Sequence, residues 1–114
     1  MKIVINSDFG GFGLSDEAIR EYAKKKGFTL IEQMTGADNF VFFYKNTVAE
    51  ENLFLEYDIP RNDEHLVEIV ERMGENANGR FSSLKVIEIP ENVNWYIEEY
   101  DGREHVAERH RTWY

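Results

Sequence analysis

The sequence predicts a single α+β domain in which two helices pack on a mixed, mainly antiparallel sheet. Two amphipathic helical segments are separated by short runs of β-branched and aromatic residues, and Asp101-Gly102 is typical of a two-residue hairpin turn. With 114 residues, 42% of them hydrophobic, the chain is long enough to bury one core. We therefore expect one domain, residues 1–114, with the order β-α-β-β-β-α-β-β-β and a C-terminal hairpin.

The N-terminal region predicts a strand, a glycine-rich loop and a helix. Residues 2–6 are β-branched in the middle and lead into Phe9-Gly10-Gly11-Phe12-Gly13, which we call the glycine loop. Ser15 is a good N-cap for the following helix, and the basic turn Lys24-Lys25-Lys26 with Gly27 predicts its end. The loop therefore lies between a strand end and a helix N-terminus.

Three apolar runs follow, at residues 28–31, 40–44 and 52–57, and they predict two or three antiparallel strands. Their aromatic side chains are interpreted as core, namely Phe40, Phe42, Phe43, Phe54 and Tyr57.

A second helix is predicted after Pro60, with Asn62 or Asp63 as its cap and Gly74 at its end. Residues 83–89 then alternate as a strand, and Asp101-Gly102 joins the two arms of the final hairpin.

The glycine loop has two physical interpretations. Backbone N–H groups at a strand end and a helix N-terminus can receive a phosphate or carboxylate, which makes Gly10, Gly11 and Phe12 candidate binding residues. The loop lacks the Gly-Lys-Ser/Thr ending of a P-loop and the spacing of a dinucleotide fingerprint. The alternative is a tight left-handed turn with Phe9 or Phe12 packed in the core, and a mixed case presents one ring to a base.

Several arginines occupy loop and strand-end positions, where binding groups concentrate. Arg61 follows a proline, and Arg109 and Arg111 flank His110 near Trp113, a combination of cations and rings suited to nucleotides. The alternatives are surface ion pairs with the 22 carboxylates, or a C-terminal strand whose aromatic residues seal a dimer.

Composition excludes or disfavours several classes of protein. A formal charge of −9 disfavours a duplex-binding surface, so we expect no nucleic-acid partner. The chain has no cysteine, no H-E-x-x-H motif and no G-x-S-x-G elbow, so we expect no metal, no cofactor and no catalytic residues. No apolar run approaches the roughly 20 residues of a membrane span, and "MKIVIN" lacks signal-peptide features. We therefore expect no membrane partner and a cytoplasmic location.

Three stretches carry a resemblance to a known family: "KIVINSDFGGFGLSDEAIREYAKKKG", "IPRNDEHLVEIVERMG" and "LKVIEIPENVNWYIEEYDGREHVAERHRTW". Together they resemble short phage-encoded proteins of the first type of Thoeris anti-defence protein. Members of that family are sponges, which bind the immune signal glycocyclic ADP-ribose and hold it without cleaving it.

The resemblance implies an oligomer that holds its ligand between protomers, in the host cytoplasm. It implies contacts from C-terminal arginines and from a preceding aromatic residue and asparagine, and the matching positions here are Arg109, Arg111, Phe81 and Asn92. The function expected is therefore sequestration of a small cyclic adenine nucleotide by a homo-oligomer without catalysis. Two alternatives remain: a nucleotide-modifying or phosphodiesterase enzyme seated on the glycine loop, and an acidic protein-interaction or mimic module.

Overall fold

A computed structural model describes residues 1–34, 41–110 and 113, and it confirms the α+β class with its C-terminal hairpin. The two α-helices are α1, Asp16–Lys26, and α2, Glu64–Met73. The strands of the described residues are β1 Lys2–Asn6, β2 Leu30–Met34, β3 Val41–Lys45, β4 Leu84–Glu88, β5 Trp95–Tyr100 and β6 Arg103–Glu108.

The six strands pair as three antiparallel ladders and not as one continuous sheet. β1 pairs with β4, β2 with β3, and β5 with β6. In the first ladder Val4 lies opposite Val86, and in the last Ile97 lies opposite Val106. The expected single sheet is therefore divided, although every pair among the described strands has the antiparallel direction that the short connections favour.

Both helices begin and end where the sequence indicates. The Ser15 hydroxyl accepts the Ala18 N–H at the start of α1, and the Asp63 carboxylate accepts the His65 and Leu66 N–H groups at the start of α2. Their apolar faces form the core together with β1; its largest fully buried aliphatic side chains are Ile3, Val4, Leu66 and Ile69. Within the described residues, neither helix has the combined length and apolar character that crossing a bilayer requires.

Of the two or three strands predicted from the three apolar runs, two form, and the run at residues 52–57 is not a strand. This segment forms two 3₁₀ turns, Glu50–Asn52 and Glu56–Asp58, and contributes only a Leu53–Tyr44 bridge to the β2–β3 ladder. Glu56 turns back so that its carboxylate accepts the Leu14 N–H at 3.1 Å. This tertiary contact, distant in sequence, outweighs the local apolar pattern.

The prediction that the aromatic residues of these runs form part of the core is wrong for Phe42, on the outer face of β3, and for Tyr57, in the second turn. Phe43 is a core residue, whereas Tyr57 and Phe42 are exposed and Phe54 is half-buried. The fifth aromatic residue of that prediction, Phe40, lies outside the described residues.

Candidate functional site

The glycine loop is a left-handed turn packed against the hairpin turn. Gly10 and Gly11 have φ angles of 117° and 96°. A Cβ atom on Gly102 would overlap the Gly11 nitrogen and lie 2.5 Å from the Gly10 nitrogen. Because these glycines have no side chains, the backbone of the glycine loop can touch the backbone of the hairpin turn. Gly102 lies against the Gly11 nitrogen.

A second close approach joins the loop to the segment before β4. The Gly79 N–H donates to the Gly13 carbonyl at 3.1 Å, and a Cβ on Gly79 would lie 2.9 Å from the Gly13 carbonyl carbon. A Cβ on Gly10 would lie 2.8 Å from the Cβ of Phe81. Much of the glycine content is thus explained by contacts within the protein.

The two phenylalanines of the loop have different environments. Phe12 is 7% exposed and belongs to the core, whereas Phe9 is 53% exposed. The Arg61 guanidinium lies over the Phe12 ring, with its carbon 3.5 Å from the ring centroid. Phe12 therefore combines core packing with a cation–π contact, and its candidate role in binding stays a prediction.

Beneath the loop, a buried polar network joins β1 to the hairpin. Asn6 is fully buried, and its side-chain amide donates to the carbonyls of Asp8 and Gly102, both at 2.8 Å. The Glu104 carboxylate accepts the Asn6 backbone N–H at 2.8 Å. It also accepts hydrogen bonds from both terminal nitrogens of Arg61, at 2.7 and 2.9 Å.

This bidentate pair bears on the candidate role of Arg61. The side chains of Arg61 and Glu104 are only 15% and 7% exposed, so the pair is largely removed from water. Because a buried carboxylate already binds both terminal nitrogens of the guanidinium, Arg61 has a structural partner within the protein. Its role in ligand binding stays a prediction.

Several adjoining clefts border the glycine loop, and two of them contain candidate binding residues from outside the loop. The first, which we call the glycine-loop cleft, has a volume of about 400 Å³ and is lined by the loop and by Glu56, Tyr57, Arg80 and Phe81, among others. The second, of about 330 Å³, shares Gly10, Gly11, Phe12 and Tyr57 with it and reaches Arg61 and Glu104. The rings of Tyr57 and Phe81 are 64% and 67% exposed. Two accessible rings and an arginine therefore lie along one concave surface.

The charges around the glycine-loop cleft limit where an anion can bind. The Leu14 N–H, near the start of α1, already donates to Glu56, and Asp16 also lines the cleft. Burial raises the pKa of Glu56 above its usual value, an effect that the Leu14 N–H partly opposes. An anionic group is therefore better placed at Arg80 than at the helix N-terminus.

The structure brings together Gly10, Gly11, Phe12, Arg61 and Phe81, but it places Asn92 and Arg109 elsewhere. Asn92 is in the turn before β5, with a φ of 64°. Arg109 follows β6, and its guanidinium carbon lies 4.6 Å from the centroid of the Tyr96 ring. β6 separates Arg109 from Gly102 by roughly 20 Å of extended strand. Arg111 lies outside the described residues.

The sequence interpretation missed a larger cavity of about 630 Å³ at the C-terminal end of α1. Its walls include the rings of Tyr22, Phe28 and Phe54 and the side chains of Lys26 and Lys45, and we call it the lysine cavity. The signal available in the sequence was an aromatic residue within two positions of each lysine, in "KKGF" and "FYKN". Lys26 belongs to the basic turn that predicts the end of α1, and Lys45 follows the apolar run at residues 40–44.

In the part of the chain that the structure describes, no three histidine or carboxylate side chains are grouped so that they could hold a metal ion. Comparison with known proteins found no matching family model, no matching curated protein and no matching solved structure.

Proposed function

We propose that the chain is a binding protein that captures a small adenine nucleotide in the glycine-loop cleft and does not cleave it. The observation that carries the proposal is the placement of Tyr57, Phe81 and Arg80 along one cleft. A base that stacks on an aromatic side chain gains about 1–3 kcal/mol. Two exposed rings with a neighbouring guanidinium suit a ligand that has a planar base and an anionic group.

Each part of the cleft has a separate task in this proposal. The base lies against Tyr57 and Phe81, and the phosphate contacts Arg80. The carboxylates of Asp16 and Glu56 repel phosphate from the opposite wall, so the ligand binds in one orientation. Capture requires affinity alone, whereas catalysis would require groups that stabilise a transition state.

The resemblance to the Thoeris anti-defence family supplies the identity of the ligand in this proposal. We expect a cyclic adenine nucleotide of the glycocyclic ADP-ribose type, sequestered in the cytoplasm of a host cell. In this role a phage protein lowers the concentration of an immune signal by binding it.

A homo-oligomer is part of the same proposal. Asn92 and Arg109 lie too far from the glycine loop to contact a ligand there within one chain, so they contribute if a neighbouring protomer presents them. Exposed aromatic side chains on the hairpin and after it, Tyr100 and Trp113, favour such an interface. Sedimentation equilibrium should give a mass of at least twice the chain, and a monomer at micromolar concentration would contradict this part.

The test is calorimetric titration with ADP-ribose, cyclic ADP-ribose isomers and the neutral control adenosine. Phe81→Ala should weaken binding by about fivefold or more, the loss of one stacking contact. Phe42→Ala is the matched control, because this exposed ring lines neither the cleft nor the hairpin surface proposed as the interface, and it should bind like the wild type. Heating the complex should return the intact ligand, whereas a modified product would indicate an enzyme.

A second candidate function is an acidic protein-interaction module. Exposed rings at Phe9, Tyr57 and Phe81 surround the glycine loop, and carboxylates at Glu99 and Asp101 lie next to them. An apolar centre with a charged rim is typical of a protein interface. If no nucleotide binds, this surface predicts a partner with a basic face.

A further inference from the structure

We propose that the lysine cavity is a second binding site, for a small planar aromatic molecule that carries a single anionic group. The cavity of about 630 Å³ is within the range of small-molecule sites, and it shares no lining residue with the glycine-loop cleft. The proposal is independent of the function proposed above.

The aromatic residues form one continuous wall of the cavity. The ring centroids of Tyr22 and Phe54 are 6.0 Å apart, and those of Phe28 and Phe54 are 5.7 Å apart. Tyr22 is buried, whereas Phe28 and Phe54 are half-buried and leave part of their surface to the cavity. A planar ligand can therefore pack against Phe28 and Phe54 without opening the core.

Two lysine side chains are held beside this wall. The Lys45 Nζ lies 5.0 Å from the centroid of the Phe28 ring, and the Lys26 Nζ lies 5.8 Å from that of Tyr22. Lys26 also contacts the Asp63 carboxylate at 3.0 Å, and this hydrogen bond raises the pKa of Lys26, which keeps it charged. Since Asp63 neutralises Lys26, Lys45 is the cation positioned to bind an anionic group on a ligand.

The carboxylates of the cavity set the charge of the ligand. Glu51 and Asp58 line the cavity from the segment that connects β3 to α2. Because Asp63 already pairs with Lys26, Lys45 is the cation left to face an anion beside Glu51 and Asp58, and the lining has no excess positive charge for a pyrophosphate. The geometry therefore favours an aromatic monoanion over the nucleotide expected at the glycine loop.

The experiment titrates indole-3-carboxylate and the neutral indole-3-carboxamide into ¹⁵N-labelled protein and follows amide shifts. We expect shifts at Phe28, Asn46 and Phe54, with the carboxylate bound about threefold or more tightly than the carboxamide. Lys45→Met should remove this preference. Lys85→Met, an exposed strand lysine outside the cavity, should retain it.

The proposal would be overturned by shifts that miss these amides, by equal affinity of the wild type for the two probes, by a preference that Lys45→Met retains, or by loss of the preference in both lysine variants. Shifts at Gly10 or Phe81 would place the probe in the glycine-loop cleft and would also overturn it. Failure of nucleotide binding at the glycine loop would leave this result unaffected.

Discussion

The glycine-loop cleft and the lysine cavity differ in the kinds of residues that line them. Backbone and carboxylates make up much of the first, with Arg80 as its cation and two exposed rings above it. Packed rings make up one wall of the second, and lysines lie over them. Both sites therefore have one available cation beside two carboxylates, and they differ in that the cation of the lysine cavity lies over an aromatic ring.

This difference shows that a glycine-rich pattern can have more than one physical cause. Glycines before a helix are associated with phosphate binding because they allow a close approach to backbone N–H groups. Here the hairpin turn makes that approach, since Gly102 packs on Gly10 and Gly11. A glycine on the opposite side of the contact, distant in sequence, is the feature that indicates a packing role for the loop glycines.

The largest expected effect is on the free energy of unfolding, and it distinguishes the two phenylalanines of the glycine loop. Phe12→Ala removes a core ring that also carries the Arg61 guanidinium, and it should lower the free energy of unfolding by about 3–5 kcal/mol. Phe9→Ala removes a half-exposed ring and should cost less than about 1 kcal/mol. Urea denaturation measures both, and equal losses would mean that Phe12 is not a core residue.

The next effect concerns the contact between the loop and the hairpin turn. Gly102→Ala places a Cβ against backbone atoms and should destabilise the protein by about 2–4 kcal/mol. Gly27 has a similar φ of 83° but open space around it, so Gly27→Ala should cost only about 1 kcal/mol. Thermal unfolding of the two variants separates steric overlap from backbone strain, and a Gly102 loss no larger than that of Gly27 would contradict the packing.

A smaller effect is the dependence of stability on pH at Glu56, in the glycine-loop cleft. Because burial raises the pKa of Glu56 in the folded state, its charge reduces stability at neutral pH, and this loss is recovered as pH falls through the raised pKa. Glu56→Gln should therefore raise the melting temperature at pH 7, and the advantage should disappear as the pH falls toward 4.5.

The matched control is Glu32, whose pKa is lowered by the hydrogen bonds from Arg20. This carboxylate stabilises the fold above its unfolded pKa, and the contribution is lost as pH falls through the folded value. Glu32→Gln should therefore slightly lower the melting temperature at pH 7 and have no effect at low pH. Shifts of the same sign in both variants would contradict the assignment.

The smallest effect is expected at the C-terminal arginine. Arg109 is exposed and contacts the Tyr96 ring, so Arg109→Ala should change stability by less than about 1 kcal/mol. Arg109→Lys should be closer still to the wild type, since the lysine retains a cation near the ring. Chemical denaturation of both variants checks this, and a loss above 2 kcal/mol would give Arg109 a structural role.

Features fixed by neighbouring residues were predictable from the sequence. The Ser15 and Asp63 caps, the Gly27 and Gly74 ends and the Asp101-Gly102 turn depend on contacts within a few positions. The bend at Glu56–Asp58 depends on Leu14, 42 positions before Glu56. The burial of Phe12 and the pairing of Arg61 with Glu104 likewise depend on segments distant in sequence, so local patterns left their roles open.

The most direct test of the proposed function is titration of cyclic ADP-ribose into the wild type, Phe81→Ala and Arg109→Ala. Binding at the glycine-loop cleft predicts measurable affinity for the wild type and at least a fivefold loss for Phe81→Ala. It predicts a smaller loss for Arg109→Ala, which a ligand contacts only across an oligomer interface. No binding to the wild type, or a loss confined to Arg109→Ala, would contradict the account.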